Sequence, residues 1–248
     1  DGLAKRGDRE VYKMGANLVS EVQRIFPVGG QTVDKIRHAL RPEVTYTYIP
    51  NPNQDSLPNY GTVVSEQHTV TYALTNTLIS RILEKGGKAR YLELLRFKLA
   101  QTYDLMAAAA SGVPPGTNRQ PFSDVEMEID FKPFSYLSFM ARNKYSVYDT
   151  NWTQANYDLG LNDKRGDTAT VTYRYTRDSL EEINLLLKAV ITKELNLNLT
   201  FKRDLLTEKN IEQTYGFDFR RQCWHIGFSY GDRDNDKIYE FRFGIYGM

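Results

Sequence analysis

Three histidines and one cysteine are the residues best suited to metal or covalent chemistry, and their spacing supplies neither. His38, His68 and His225 lie tens of residues apart with no second ligand at metal spacing beside any of them. A zinc site needs three or four donors brought to one point. No Ser/His/Asp set has motif support, and Gly29-Gly30 and Gly86-Gly87 sit at turns without a phosphate-loop pattern. The expectation is therefore no metal, no cofactor and no enzyme. Cys223 is the only cysteine; such a thiol is inert in a reducing compartment or pairs with another segment in an exported protein. What remains is electrostatic. Arg174, Lys188, Lys202, Asp218 and Arg242 stand on the polar side of alternating stretches, where charges meet water or an anionic ligand.

The elements that carry them alternate with period two, most clearly at the end of the chain. Tyr215, Phe217 and Phe219 alternate with Thr214, Gly216 and Asp218. After Arg220-Arg221-Gln222 the phase flips to Trp224, Ile226, Phe228 and Tyr230, and after a polar turn to Tyr239, Phe241, Phe243 and Ile245. Successive side chains of a strand face opposite ways, so these are antiparallel strands with an apolar aromatic face and a polar face. Lipid on one side and water on the other fits that division; a soluble sandwich imitates it.

Composition leaves this reading open. Hydrophobic residues make up 41% of the 248, and no run of apolar residues has the length a transmembrane helix needs. A membrane barrel escapes that test because only every second residue meets lipid. Aromatics reach 12%, with 17 Tyr, which suits interfacial girdles. A net charge of +1, with the charges dispersed, gives no basic stripe for nucleic acid. No apolar signal region follows the charged start at Asp1-Gly2-Leu3-Ala4-Lys5-Arg6, so an exported protein is expected here as a mature piece whose beginning is missing.

Taken in order, the alternation gives strands near 11–26, 36–48, 68–78, 91–105, 125–131, 137–148, 155–161, 171–175, 183–191 and 195–201, then the three above. The first is weakly patterned and a helix is an alternative there. Pro42 removes a ladder donor and should mark a bulge, an edge or a bend. If the last strand ends at the periplasm, the long stretches 50–66 and 107–122 fall on the outer side. The short turns at Pro133, Glu194 and Arg221-Gln222 then fall on the inner side, the asymmetry of outer-membrane barrels. The expected fold is all-β, an antiparallel transmembrane β-barrel represented by its C-terminal portion, roughly 12–13 strands of a larger barrel. Residues 1–248 would form one partial barrel domain.

Arg37-His38-Ala39-Leu40-Arg41-Pro42, Tyr46-Thr47-Tyr48-Ile49-Pro50 and Leu57-Pro58-Asn59-Tyr60 follow one another at the start. Cys223-Trp224 with Tyr230, and Phe241-Arg242-Phe243-Gly244-Ile245-Tyr246-Gly247, stand at the end. In order and spacing these strings resemble the barrel domain of the lipopolysaccharide-assembly (organic solvent tolerance, LptD) outer-membrane family. The resemblance is anchored at 37–60 and 223–247. It implies a cell outer-membrane translocon that inserts lipopolysaccharide into the outer leaflet, with lateral release at a seam between first and last strands. It also implies an LptE-like lipoprotein plug, and a periplasmic lipopolysaccharide bridge reached through a missing N-terminal domain. Tyr239, Phe241, Phe243, Gly244, Ile245 and Gly247 would form the seam strand. Cys223 would make an interdomain disulfide. Arg174, Lys188, Lys202, Asp218 and Arg242 would face the lumen, in reach of lipopolysaccharide or the plug. Two departures stand out: Gln222-Cys223 replaces the family's frequent adjacent cysteines, and the chain ends Tyr246-Gly247-Met248.

Two other classes remain: a different outer-membrane barrel, either diffusion channel or barrel enzyme, and a soluble β-sandwich binding module. Detergent dependence of folding separates the sandwich from the rest. Copurification with a lipoprotein plug separates the translocon from other barrels.

Overall fold

The computed structural model describes residues 10–30, 33–51, 64–84, 87–109, 119–233 and 236–245. Fourteen strands run in chain order: β1 (Met14–Val19), β2 (Val22–Pro27), β3 (Val33–Ile49), β4 (Gln67–Leu83), β5 (Ala89–Asp104), β6 (Val125–Phe134) and β7 (Leu137–Ser146). They continue as β8 (Asn151–Asn162), β9 (Thr168–Thr176), β10 (Leu180–Val190), β11 (Leu195–Asp204), β12 (Lys209–Arg220), β13 (Trp224–Arg233) and β14 (Asp236–Ile245). One helical turn, α1 (Leu105–Ala109), follows β5. Asp104 caps it by accepting from the amides of Met106 and Ala107 at 2.8 and 3.1 Å. From β3 onward each strand pairs antiparallel with its successor, and β1 and β2 both pair with β3.

The expected barrel is not closed. Among the described residues β14 pairs only with β13, while β1 and β2 pair only with β3, so the sheet is open with two free edges. Period-two alternation states which side chains share a face, and it is the same in an open sheet and in a closed one. Closure depends on tilt and shear across all strands, which no local pattern encodes.

Fourteen strands replace the expected 12–13 because the 11–26 stretch is two strands. Val19 lies opposite Glu43 and Val22 opposite Leu40, so β1 and β2 hold one register against β3. The gap between them falls opposite Pro42. The Ser20 amide donates to the Pro42 carbonyl at 3.2 Å, but proline has no N–H to return the second bond of the pair. On the other side, the β3–β4 ladder runs through Pro42 opposite Leu74 without a break.

Among the described residues the sheet has no second layer. Ala39, Ile49, Ala141 and Ala155 are the buried hydrophobic residues of the described chain, and three of the four are alanines. Rows such as Leu159–Val171–Leu185 and Leu197–Phe217–Phe228–Phe241 lie across neighbouring strands on one face, with nothing packed against them. Aromatic contacts run along that face, with Tyr157–Tyr173 and Phe217–Phe228 at 5.9 and 6.0 Å in its middle. Tyr103–Phe122, Tyr145–Trp152 and Tyr230–Tyr239 meet at 4.9, 5.3 and 5.1 Å toward one end, and Phe219–Trp224 at 5.6 Å toward the other.

Strand direction sorts the connections. The two long ones, 50–66 and 105–124, leave from the same end of the sheet, here the loop end. The opposite, turn end carries the connections at 84–88, 135–136, 163–167, 191–194 and 221–223.

Candidate functional site: a charged sheet face and its last edge

Residues paired across strands share a face, which settles where the five predicted polar residues lie. Arg174 is opposite Asn156 and Glu182; Lys202 is opposite Asn184 and Glu212. Lys188 begins a row through Asn198, Gly216, Ser229 and Glu240, and Asp218 one through Gly227 to Arg242. All five stand on the face opposite the aromatics, as alternate positions along their strands.

Acids meet three of the four cations, Arg174, Lys202 and Arg242. Arg174 Nη2 contacts Asp158 Oδ1 at 2.6 Å, and Lys202 Nζ contacts Glu182 Oε2 at 3.1 Å. Asp218 lies 3.6 Å from Arg242 Nη2 and accepts from Asn198 Nδ2 at 2.7 Å. The Asp218–Arg242 contact spans all of β13, which is bare between them: a Cβ on Gly227 would stand 2.8 Å from Asp218 Oδ1 and 3.2 Å from Arg242 Nε. The bare glycine lets the two side chains meet across it, and any larger residue would displace them.

One guanidinium arrangement occurs twice. Arg142 donates from Nη2 to Asp130 at 2.9 and 3.1 Å, and from Nη1 to the carbonyls of Ile129 and Ala141 at 3.0 and 2.9 Å. Arg174 repeats this with Asp158 and the carbonyls of Tyr157 and Tyr173, at 2.6, 3.1 and 3.0 Å. Asp130, Arg142, Asp158 and Glu182 were not singled out from sequence. Their signal is an acid and a base at matching parity on neighbouring strands, visible only once the register is known. This face is charged, wet and largely balanced.

At the loop end, the Arg177 guanidinium bonded to Asp149 at 2.8 Å holds that turn carboxyl below the usual carboxylate range. The three histidines go to separate tasks. His38 Nε2 bonds Asn76 Oδ1 at 2.8 Å, His68 lies edge-on to Tyr46 and Tyr48, and the His225 ring covers Gly244. No grouping of His, Cys, Asp or Glu suited to a metal occurs among the described residues.

The predicted seam strand is β14, a free edge. Tyr239, Phe241, Phe243 and Ile245 point to the apolar face and are 58–73% exposed, since only β13 flanks them. Gly244 lies on the other face, where an added Cβ would come 2.0 Å from His225 Cε1. Gly247 falls outside the described residues. Cys223 is exposed in the turn between β12 and β13. It lines a cavity of about 370 Å³ together with Trp224, Ile226, Phe243 and Ile245, which brings the thiol beside the last residues of β14.

A family model described as LPS transport system D (LptD) matches residues 25–204, well over half of the 248. The chain belongs to the LptD family. This is a transport family rather than an enzyme family. The chain is similar to the LPS-assembly protein LptD of Vibrio cholerae serotype O1, at 22% identity over 93% of this chain and 34% of that protein. The LPS-assembly protein LptD of Burkholderia thailandensis is 25% identical over 76% of the chain and 27% of its own length. Its counterpart in Aeromonas hydrophila is 22% identical over 77% and 26%. The chain therefore spans about a third or less of the LptD proteins it matches. Of the strings that carried the resemblance, 37–60 lies inside the family match, while 223–247 lies beyond it.

Proposed function

We propose that this chain is part of the membrane-embedded region of a lipopolysaccharide translocon in the bacterial outer membrane. Its aromatic face meets lipid and its charged face lines the water-filled path. One observation carries the reading: a single-layer sheet leaves a whole apolar face uncovered, with Phe241 67% and Leu197 42% exposed. In water such a face requires a second layer; lipid tails cover it without one, and tyrosines and tryptophans toward its ends suit the two interfaces. Membership of the LptD family, and the gathering of both long connections at one end, support the same orientation.

In this reading β14 is one lip of a lateral exit. Its free edge pairs with a strand supplied from outside the described sheet, because unpaired backbone in hydrocarbon costs several kcal/mol per group, on the order given for buried amides. Opening of that pairing along Tyr239, Phe241, Phe243, Gly244, Ile245 and Gly247 releases lipopolysaccharide sideways, with no covalent step. An LptE-like lipoprotein plug rests against the charged face, where Arg174, Lys188, Lys202, Asp218 and Arg242 meet it or the passing lipid. The turn end faces the periplasm, and lipopolysaccharide arrives from the periplasmic bridge through a domain outside this chain.

The test uses the full-length protein. A photoreactive phenylalanine analogue at Phe241 or Phe243 captures the facing strand, and a cysteine pair then locks β14 to that strand. Locked protein should stay folded and stop lipopolysaccharide reaching the cell surface. Normal surface lipopolysaccharide from locked protein would make β14 ordinary wall.

A further inference from the structure

The turn-end halves of β2, β3, β4 and β5 reach past their neighbours. β5 pairs with β6 only over Leu95–Ala100, so Ala89–Leu94 have β4 on one side and, among the described residues, no strand on the other. These halves form a flap at the turn end.

Its polar face holds a recess of about 570 Å³ lined by Gln23, Ile25, Lys35, Arg37, Ile79, Arg81 and Tyr91. Lys35 and Arg81 are directly opposite each other across β3 and β4, an arrangement that destabilises a sheet unless an anion lies between the charges. Arg37, opposite Ile79 on the same face, adds a third cation and spends one donor on a neutral acceptor, Gln23 Oε1, at 3.1 Å. Asp34 supplies one carboxylate, 3.4 Å from Arg81 Nη1. Glu93, opposite Ile79, is a second acid on this face, outside the recess lining. Arg81 Nε is buried and has no hydrogen-bond acceptor. Three cations converge here, only Arg81 among them in a salt bridge, on a cavity whose remaining walls are Ile25, Ile79 and the ring of Tyr91.

We propose that this recess binds a phosphate-bearing amphiphile, with Lys35, Arg37 and Arg81 holding the phosphate and Ile25, Ile79 and Tyr91 receiving the apolar portion. Guanidinium and ammonium groups around one phosphate give charge-assisted bonds that no single exposed lysine matches. The apolar walls add what a free anion cannot use. The inference deepens the transport reading by giving an incoming anionic lipid its first contact at the turn end. The binding measurement nonetheless stands apart from export.

Full-length protein in a non-ionic maltoside detergent is titrated calorimetrically with inorganic phosphate, dihexanoyl phosphatidic acid and dihexanoyl phosphatidylcholine. Phosphatidic acid should bind at least about tenfold more tightly than either of the others. Arg37→Gln and Lys35→Gln should each weaken it by about tenfold, the scale of one charge-assisted hydrogen bond. Arg90→Gln, in the neighbouring exposed pair with Glu84, should leave it unchanged. Lys35→Gln keeps the Arg81–Asp34 contact, so its result does not hinge on the fold. Equal affinity for phosphate and phosphatidic acid would reduce the recess to an anion site. Equal affinity for the two lipids would reduce it to an apolar groove, and indifference to both variants would remove it. Each of these outcomes overturns the proposal. Lost phosphatidic acid binding with normal export would count against a place for the recess in transport and leave the binding site itself standing.

Discussion

Replacing Phe241 by arginine tests which face of the sheet meets lipid. Phe241 stands in the row Leu197–Phe217–Phe228–Phe241, between the aromatics of the two ends. A charge there lies near the middle of the apolar band, where arginine costs about 2–4 kcal/mol in a membrane sheet. That lowers the ratio of folded to unfolded protein by roughly 30- to 700-fold. The neighbouring Arg242 points the other way. Its contacts with Asp218 and Glu240 are 3.6 and 3.8 Å long and its side chain is 51% exposed, so solvent screens them and Arg242→Gln should cost at most about 1 kcal/mol. Leu197→Arg repeats the test inside the sheet, away from the edge. Full-length variants are refolded into phosphatidylcholine liposomes over a urea series, and the heat-resistant folded fraction is read on gels. Phe241→Arg and Leu197→Arg should lose the folded band at much lower urea than Arg242→Gln. Equal midpoints for all three would refute the assignment of faces.

Three further outcomes follow from single contacts. Pro42→Thr restores the missing donor opposite Ser20, so hydrogen exchange at residues 20–22 should slow as β1 and β2 join; unchanged exchange would mean that something else breaks the strand. Gly244→Ala should destabilise the β13–β14 pair by about 1–3 kcal/mol, the usual cost of overpacking, and His225→Ala should rescue it; no rescue in the double variant would remove the His225 ring as the cause. Full-length protein should change mobility on a non-reducing gel when Cys223→Ser is introduced, because we expect Cys223 to pair with a cysteine outside this chain; identical mobility would leave it a free thiol.

Much of the sheet was legible before any tertiary structure. Leu195-Asn196-Leu197-Asn198-Leu199-Thr200-Phe201 could only be a two-faced strand, and β11 is one. Which side chains share a face, and the gathering of the long stretches read as 50–66 and 107–122 at one end, followed from period and direction alone, because both are local properties of an antiparallel chain. The strings at 37–60 carried the family. Three things lay beyond that reach. Closure was expected and the sheet is open, since alternation is blind to tilt and shear. The break between β1 and β2 is caused by Pro42, which is distant in sequence and adjacent only through the register. The acids that hold Arg142, Arg174 and Lys202, the bare Gly227 beneath Asp218 and Arg242, and the meeting of Lys35 with Arg81 are likewise products of register. Each joins residues whose separation along the chain says nothing of their contact, and only the ladder that aligns one strand on the next decides it.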